Sequence, residues 1–160
     1  MIQAFTETGF KPDICTEDNR IDTSVASTQI RFLVKFINDL DGSIAYAYPT
    51  LTSGILPRYT NMVFSYNINP DLFAGSTKLL PAGHWKYEVY EVSWIGAVTV
   101  GGGKAPSTET DVLPVSDSNG VVQGIVTKGI LNLTEKAGTE QVQYTQHTEP
   151  SEENFIYYGQ

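Results

Sequence analysis

The chain has little of what reactive sites are usually built from. Its 160 residues include a single cysteine, Cys15, so no intrachain disulfide framework exists. Cys15 has no Cys or His neighbour with which to form a zinc site. There are only two histidines, His84 and His147, in different regions, and neither has a metal-ligand partner at helical or hairpin spacing. Cations are scarce too: ten Lys and Arg stand against eighteen Asp and Glu, a formal net charge of −8, and the ten are scattered. Phosphate contacts need clustered Lys and Arg, so no nucleic-acid partner is expected, and the acidic excess reads as a solubility device. No apolar run approaches the roughly 18 residues of a membrane span, and the N-terminus lacks a basic region followed by an apolar one. The expectation is a protein made in a cytosol, with no membrane partner.

What the chain does have is sheet-forming material. Hydrophobic residues make up 41% and aromatics 11%, enough to fill one core, and the aromatic and β-branched content favours sheet over helix. The length fits one domain, or one domain plus an arm. Residues 80–94 form the longest β-favouring run, opened by a Pro/Gly turn. Trp85, Tyr87 and Val89 alternate with Lys86 and Glu88, as in a half-buried strand; beyond Val89 the large residues become Tyr90, Val92 and Trp94. That phase shift predicts either a β-bulge or a strand whose second half is covered on its other face.

Around this run the rest reads as strands and turns. Residues 29–38 alternate Ile30, Phe32, Val34 and Phe36 with Arg31, Leu33, Lys35 and Ile37; a turn at 39–42 and a returning strand at 43–48 complete a hairpin. Residues 49–57, Thr, Ser and Gly between prolines, read as a loop, and 58–68 as a strand stopped by Pro70. Residues 71–77 read as a turn or a helical half-turn. Residues 95–111 are the chief interruption, 112–115 a short edge-like piece and 116–120 a turn. Gly124 and Gly129 make 121–135 a strand pair or one bulged strand. Residues 140–146 alternate weakly, and 148–153 are acidic and loop-like.

The two ends differ from the middle. Residues 1–28 have isolated apolar anchors and then loop composition, which reads either as a disordered leader or as an arm whose Ile2, Phe5, Phe10 and Ile14 dock on a neighbouring subunit. At the other end Phe155, Ile156, Tyr157 and Tyr158 are too apolar to hang free in water, and either complete the sheet or bind a partner. The domain expectation is an extended N-terminal arm, 1–28, and a β-sandwich, 29–160.

Motifs that suggest chemistry are incomplete. Asp39 and Asp41 before Gly42 resemble the start of a calcium loop, but its remaining ligands are missing and turn chemistry accounts for them. Gly101, Gly102, Gly103 and Lys104 lack the upstream Gly and the following Ser or Thr of a phosphate loop. Asn132, Leu133 and Thr134 fit the N-glycosylation pattern, which without secretion is coincidental. No Gly-x-Ser-x-Gly elbow occurs. Glu88 and Glu91, three apart on one strand, project to opposite faces and make a poor acid/base pair. No catalytic residue, cofactor or metal is expected, and the chain is read as a non-enzyme. A sugar-binding face remains open as an alternative, since exposed Trp and Tyr can stack on sugar rings.

The approach through Leu80, Pro81 and Gly83 to Tyr87 resembles the entry to strand F of immunoglobulin-like sandwiches, without their disulfide. More broadly, the texture of 31–39, 58–60, 80–91 and 138–144 resembles small β-sandwich virion proteins of tailed bacteriophages, including crAss-like and marine phages. The resemblance covers roughly residues 30–160. It implies an all-β fold, an antiparallel β-sandwich of immunoglobulin-like or jelly-roll-like type. It also implies a structural role as a capsid auxiliary or decoration protein located on the virion. The partners it implies are the major capsid protein and copies of the chain itself, as a trimer or a capsid-docked monomer. A neck or tail adaptor is the nearest alternative.

Overall fold

The alternation along residues 30–38 and 83–93 places two long strands side by side at the centre of the molecule. The structure, a computed structural model, describes residues 1–56 and 58–136. Ten strands account for most of the regular structure: β1 (Ile2–Phe5), β2 (Asp13–Ile14), β3 (Ile30–Asn38), β4 (Ile44–Ala47), β5 (Thr50–Ile55), β6 (Thr60–Val63), β7 (Ser65–Tyr66), β8 (Ser76–Thr77), β9 (Gly83–Ser93) and β10 (Val121–Thr134). Among the described residues, helical turns are limited to three 3-10 pieces, Glu17–Asn19, Ser27–Gln29 and Leu72–Ala74. The protein is all-β among its described residues. None of the described helices is long and apolar enough to cross a membrane.

The sheets are open and of mixed sense. The largest runs β1-β10-β9-β3-β4, with β9 antiparallel to both neighbours and β1 parallel to β10. A three-stranded antiparallel sheet, β2-β6-β5, and a small parallel pair, β7-β8, complete the set. The purely antiparallel expectation is therefore corrected at two places, β1–β10 and β7–β8. β1 reaches β10 across most of the sequence, so no tight hairpin constrains that pair to run antiparallel.

Two apolar clusters hold the strands together. In the first, Phe32, Val34 and Phe36 of β3 and Trp85 and Val89 of β9 lie with Met62 of β6, Phe64 and Ile14, so the large and the three-stranded sheets share one core. Phe36 meets Phe64 edge-on at 5.4 Å and Phe10 edge-on at 6.0 Å, while Phe10 stacks on Phe64 at 4.8 Å. Each such pair contributes about 0.5–1.5 kcal/mol beyond its buried area. The second cluster lies on the opposite face of the large sheet. Leu33, Tyr90, Val92 and Trp94 are covered there by Tyr48, Ala105, Val98 and Val100. Residues 95–120 thus fold back over the half of that face nearest the end of β9.

This cover resolves the phase shift in β9. The strand pairs with β3 without interruption from Ile30↔Ser93 to Asn38↔Trp85, and its second half is buried on both faces. The bulges sit in β10 instead, between Val122 and Gly124 and between Ile125 and Thr127. Three local expectations are corrected. Residues 49–57 hold strand β5, because Thr50 and Leu51 pair with Val63 and Met62 while Gly54 takes a φ of +69° at the irregular register. Residues 58–68 are broken into β6 and β7 at Phe64, whose backbone bridges to Phe10. Residues 112–115 form no strand. The weak strand at 140–146 lies outside the described residues.

Candidate interaction surface

The N-terminal segment is built into the sheets of its own chain. β1 extends the large sheet, Phe10 exchanges backbone hydrogen bonds with Phe64, and β2 pairs with β6. Ile14 is buried in the first core; Ile2 and Phe10 pack against it half-buried. Of the four residues expected as arm anchors, only Phe5, 55% accessible, is presented to the surface. The other expected contact, Phe155, Ile156, Tyr157 and Tyr158, lies outside the described residues.

Further along the segment, a carboxylate that sequence reasoning assigned no function fixes the chain. Glu91 points from β9 toward the first core's side of the sheet and is only 1% accessible. Its Oε2 accepts the Ile21 N–H at 3.0 Å and its Oε1 the Asp22 N–H at 2.7 Å. Two oriented donors compensate a charge that would otherwise be costly to bury. Arg20 supports the same bend, donating to the carbonyls of Asp22 and Val25. Glu88 faces the other side of the sheet, as the spacing predicts, and accepts the Tyr90 hydroxyl at 2.7 Å.

On that other side the boundary of the 95–120 cover is marked by polar pairs. Lys35 of β3 donates to Glu109 at 2.5 Å, and the Tyr46 hydroxyl reaches the second Glu109 oxygen at 2.5 Å. Burial pushes the Glu109 carboxyl up, but the hydrogen bonds from Lys35 and Tyr46 outweigh it, and its pKa lies below the ordinary value. Burial first, and then the Glu109 carboxylate, raise the Tyr46 pKa; burial and then Glu88 raise that of Tyr90. Tyr48 donates to the Pro106 carbonyl at 2.7 Å. These contacts pin the cover to the sheet.

Beyond Lys35 the cover ends, and no other described segment closes the sheet face. The strand registers place Ile44 opposite Ile37, Ile37 opposite Lys86, and Lys86 opposite Ile130. Four strands therefore carry one cross-strand row of three isoleucines and a lysine. Ile44 is 53% and Ile130 46% accessible; Ile37 is half-buried, and Lys86 pairs with Asp39 at 2.7 Å. β4 and β1 form the ends of the sheet in its strand order.

The remaining sequence candidates have ordinary structural partners. Asp41 accepts the Ser43 N–H in the 39–42 turn, and Lys104 donates to Ser118. Trp85 and Trp94 are core residues, so the tryptophans expected as candidate sugar-stacking surfaces are not exposed. The isoleucine row was not legible as a site, because two of its three pairings join strands distant in sequence. Of Ile37, Ile44 and Ile130, only the first two meet through a local hairpin.

No protein-family model, curated protein or solved structure matches this chain.

Proposed function

We propose that the chain is a structural protein of a tailed-bacteriophage particle, an auxiliary or decoration protein that binds the capsid surface. In this reading the five-stranded and three-stranded sheets are the two layers of a β-sandwich, and the role is binding and assembly without catalysis. The observation that carries it is the half-face left open by the described chain, where Ile44, Ile37, Lys86 and Ile130 align across four strands and Ile44 and Ile130 are about half exposed. Three exposed or half-exposed isoleucines in one row with Lys86, itself paired with Asp39, give this face the mixed apolar and charged composition of a non-obligate interface. The resemblance of 31–39, 58–60 and 80–91 to small virion proteins supports the same reading.

The partners follow from it: the major capsid protein, with copies of the chain itself either as a trimer or as separately docked monomers. Phe5 and the stretch Phe155, Ile156, Tyr157 and Tyr158 are further proposed contacts. Ile2, Phe10 and Ile14 serve in this structure to seat the N-terminal segment on its own domain. The test is mass spectrometry of density-purified particles from the phage that encodes the chain. The proposal expects the chain at a fixed, high stoichiometry to the major capsid protein. Its presence in the lysate but not in the particles would refute the proposal.

A further inference from the structure

We propose that the pocket beside Arg31 is a binding site for a carboxylate-bearing saccharide, such as a uronic or sialic acid. The proposal is independent of where the protein resides. The pocket, of about 580 Å³, opens between the 3-10 turn preceding β3, the β4–β5 corner and β5 itself. That volume is in the ordinary range for small-molecule sites.

Among the described residues its only charged lining residue is Arg31, in a molecule of net charge −8. One guanidinium nitrogen, Nη1, donates to the carbonyls of Ile30 at 2.6 Å and Thr28 at 3.2 Å, which holds the group in place. Nε and Nη2 have no partner among the described residues. Three other cations have carboxylate partners: Lys35 has Glu109, Lys86 has Asp39 and Arg20 has Glu17. Among the described residues Arg31 has no such carboxylate, and partial burial lowers its pKa from the ordinary value. A partly buried guanidinium with two uncommitted N–H-bearing nitrogens favours a carboxylate, which it can meet in a planar, two-point geometry.

The rest of the lining selects a hydroxylated ligand. Ser27, Thr28, Thr50 and Ser53 surround the pocket, and none of their hydroxyls makes a hydrogen bond to another described side chain or carbonyl. One wall is aromatic: Phe73 stacks on Tyr48 with ring centroids 6.0 Å apart and planes 19° apart. The Tyr48 hydroxyl is already committed to Pro106, so this wall offers mainly ring surface. A cation for the carboxylate, free hydroxyls for sugar hydroxyls and a ring for the C–H face of a pyranose are the three elements an acidic sugar requires.

The experiment is titration of the full chain with sodium glucuronate and with N-acetylneuraminate, followed by saturation-transfer NMR and calorimetry. Glucose, acetate and inorganic phosphate serve as comparison probes. Saturable binding of at least one acidic sugar is expected, with none for glucose. Losing a two-point charged contact should weaken binding about tenfold or more in Arg31→Gln. Ser53→Trp, which fills the pocket from an exposed strand position and keeps the guanidinium, should also lose binding, and it decides the matter if Arg31→Gln fails to fold. Absence of saturable binding by both sugars, or unchanged affinity in the folded variants, overturns the proposal. Phosphate or acetate binding as tightly as the sugars, and displacing them, overturns it in favour of a simple anion site.

Discussion

Glu91 shows how one side chain can join two parts of a chain. Its two oxygens take the N–H groups of Ile21 and Asp22, and all three lie against the central strand. Glu91→Ala leaves those donors without an acceptor in a site closed to water, and a loss of about 2–4 kcal/mol is expected in urea unfolding. Glu91→Gln, which keeps one oxygen acceptor, should lose less. Gly120 makes a second residue-scale prediction. A Cβ there would lie 2.6 Å from the fully buried Trp94 ring and 2.9 Å from Val92. The ring has no free volume to enter, so Gly120→Ala should destabilise by about 1–3 kcal/mol in the same measurement. Glu109 gives a pH dependence. Its folded pKa lies below the ordinary 4.5, so its contribution to stability is fully present above that value and is lost as pH falls through the lower folded one. Thermal melts between pH 6 and pH 3 should therefore show a shallower acid loss in Glu109→Gln than in the parent. An equal slope would remove Glu109 from the account.

At the scale of elements, the N-terminal segment behaves as part of the fold. Phe10 stacks on Phe64 and meets Phe36, and replacing it with Ala should cost about 3–5 kcal/mol if the site does not collapse. Limited trypsin digestion tests the segment as a whole. Arg20 is held by two backbone carbonyls beside the Glu91 clasp, so cleavage after it should appear only with global unfolding. Rapid cleavage there from an otherwise intact domain would contradict the structure. These elements also show what was legible in the sequence and why. The hairpin of β3 and β4 is local: alternation sets the faces, and the Asp and Gly of 39–42 set the turn. β9 was visible because its alternation is long, and of the two readings its change of phase left open, a bulge or cover on the second face, the structure has the cover. β1 was not visible. Four residues, Ile2–Phe5, carry no period of their own, and their strand character comes from a partner more than a hundred residues away. β5 was hidden by its Thr, Ser and Gly, which suit loops as well as edge strands. The half-face and the Arg31 pocket arise from such distant pairings, so their residues could be named from the sequence but not brought together.

For the whole molecule, the large sheet has two different faces. Among the described residues, one is sealed by the three-stranded sheet and the N-terminal segment; the other is half covered by 95–120 and half open. The cover is held by Lys35, Tyr46 and Glu109 at its boundary, and the isoleucine row begins where it stops. Such an arrangement provides a rigid platform whose exposed apolar strip is displayed by paired strands and so loses little conformational freedom on binding. The most direct measurement is co-sedimentation of the purified chain with capsid shells of the encoding phage stripped of it, comparing the parent with Ile44→Asp and Ile130→Asp. Both substitutions fall on exposed positions, so melting temperatures should stay close to that of the parent. The account predicts saturable binding of the parent and loss of binding by about tenfold or more in each variant, as expected for a charge placed at an apolar contact of an interface. Equal binding by parent and variants would remove the open half-face from the account, and no binding by the parent would contradict the proposed capsid role itself.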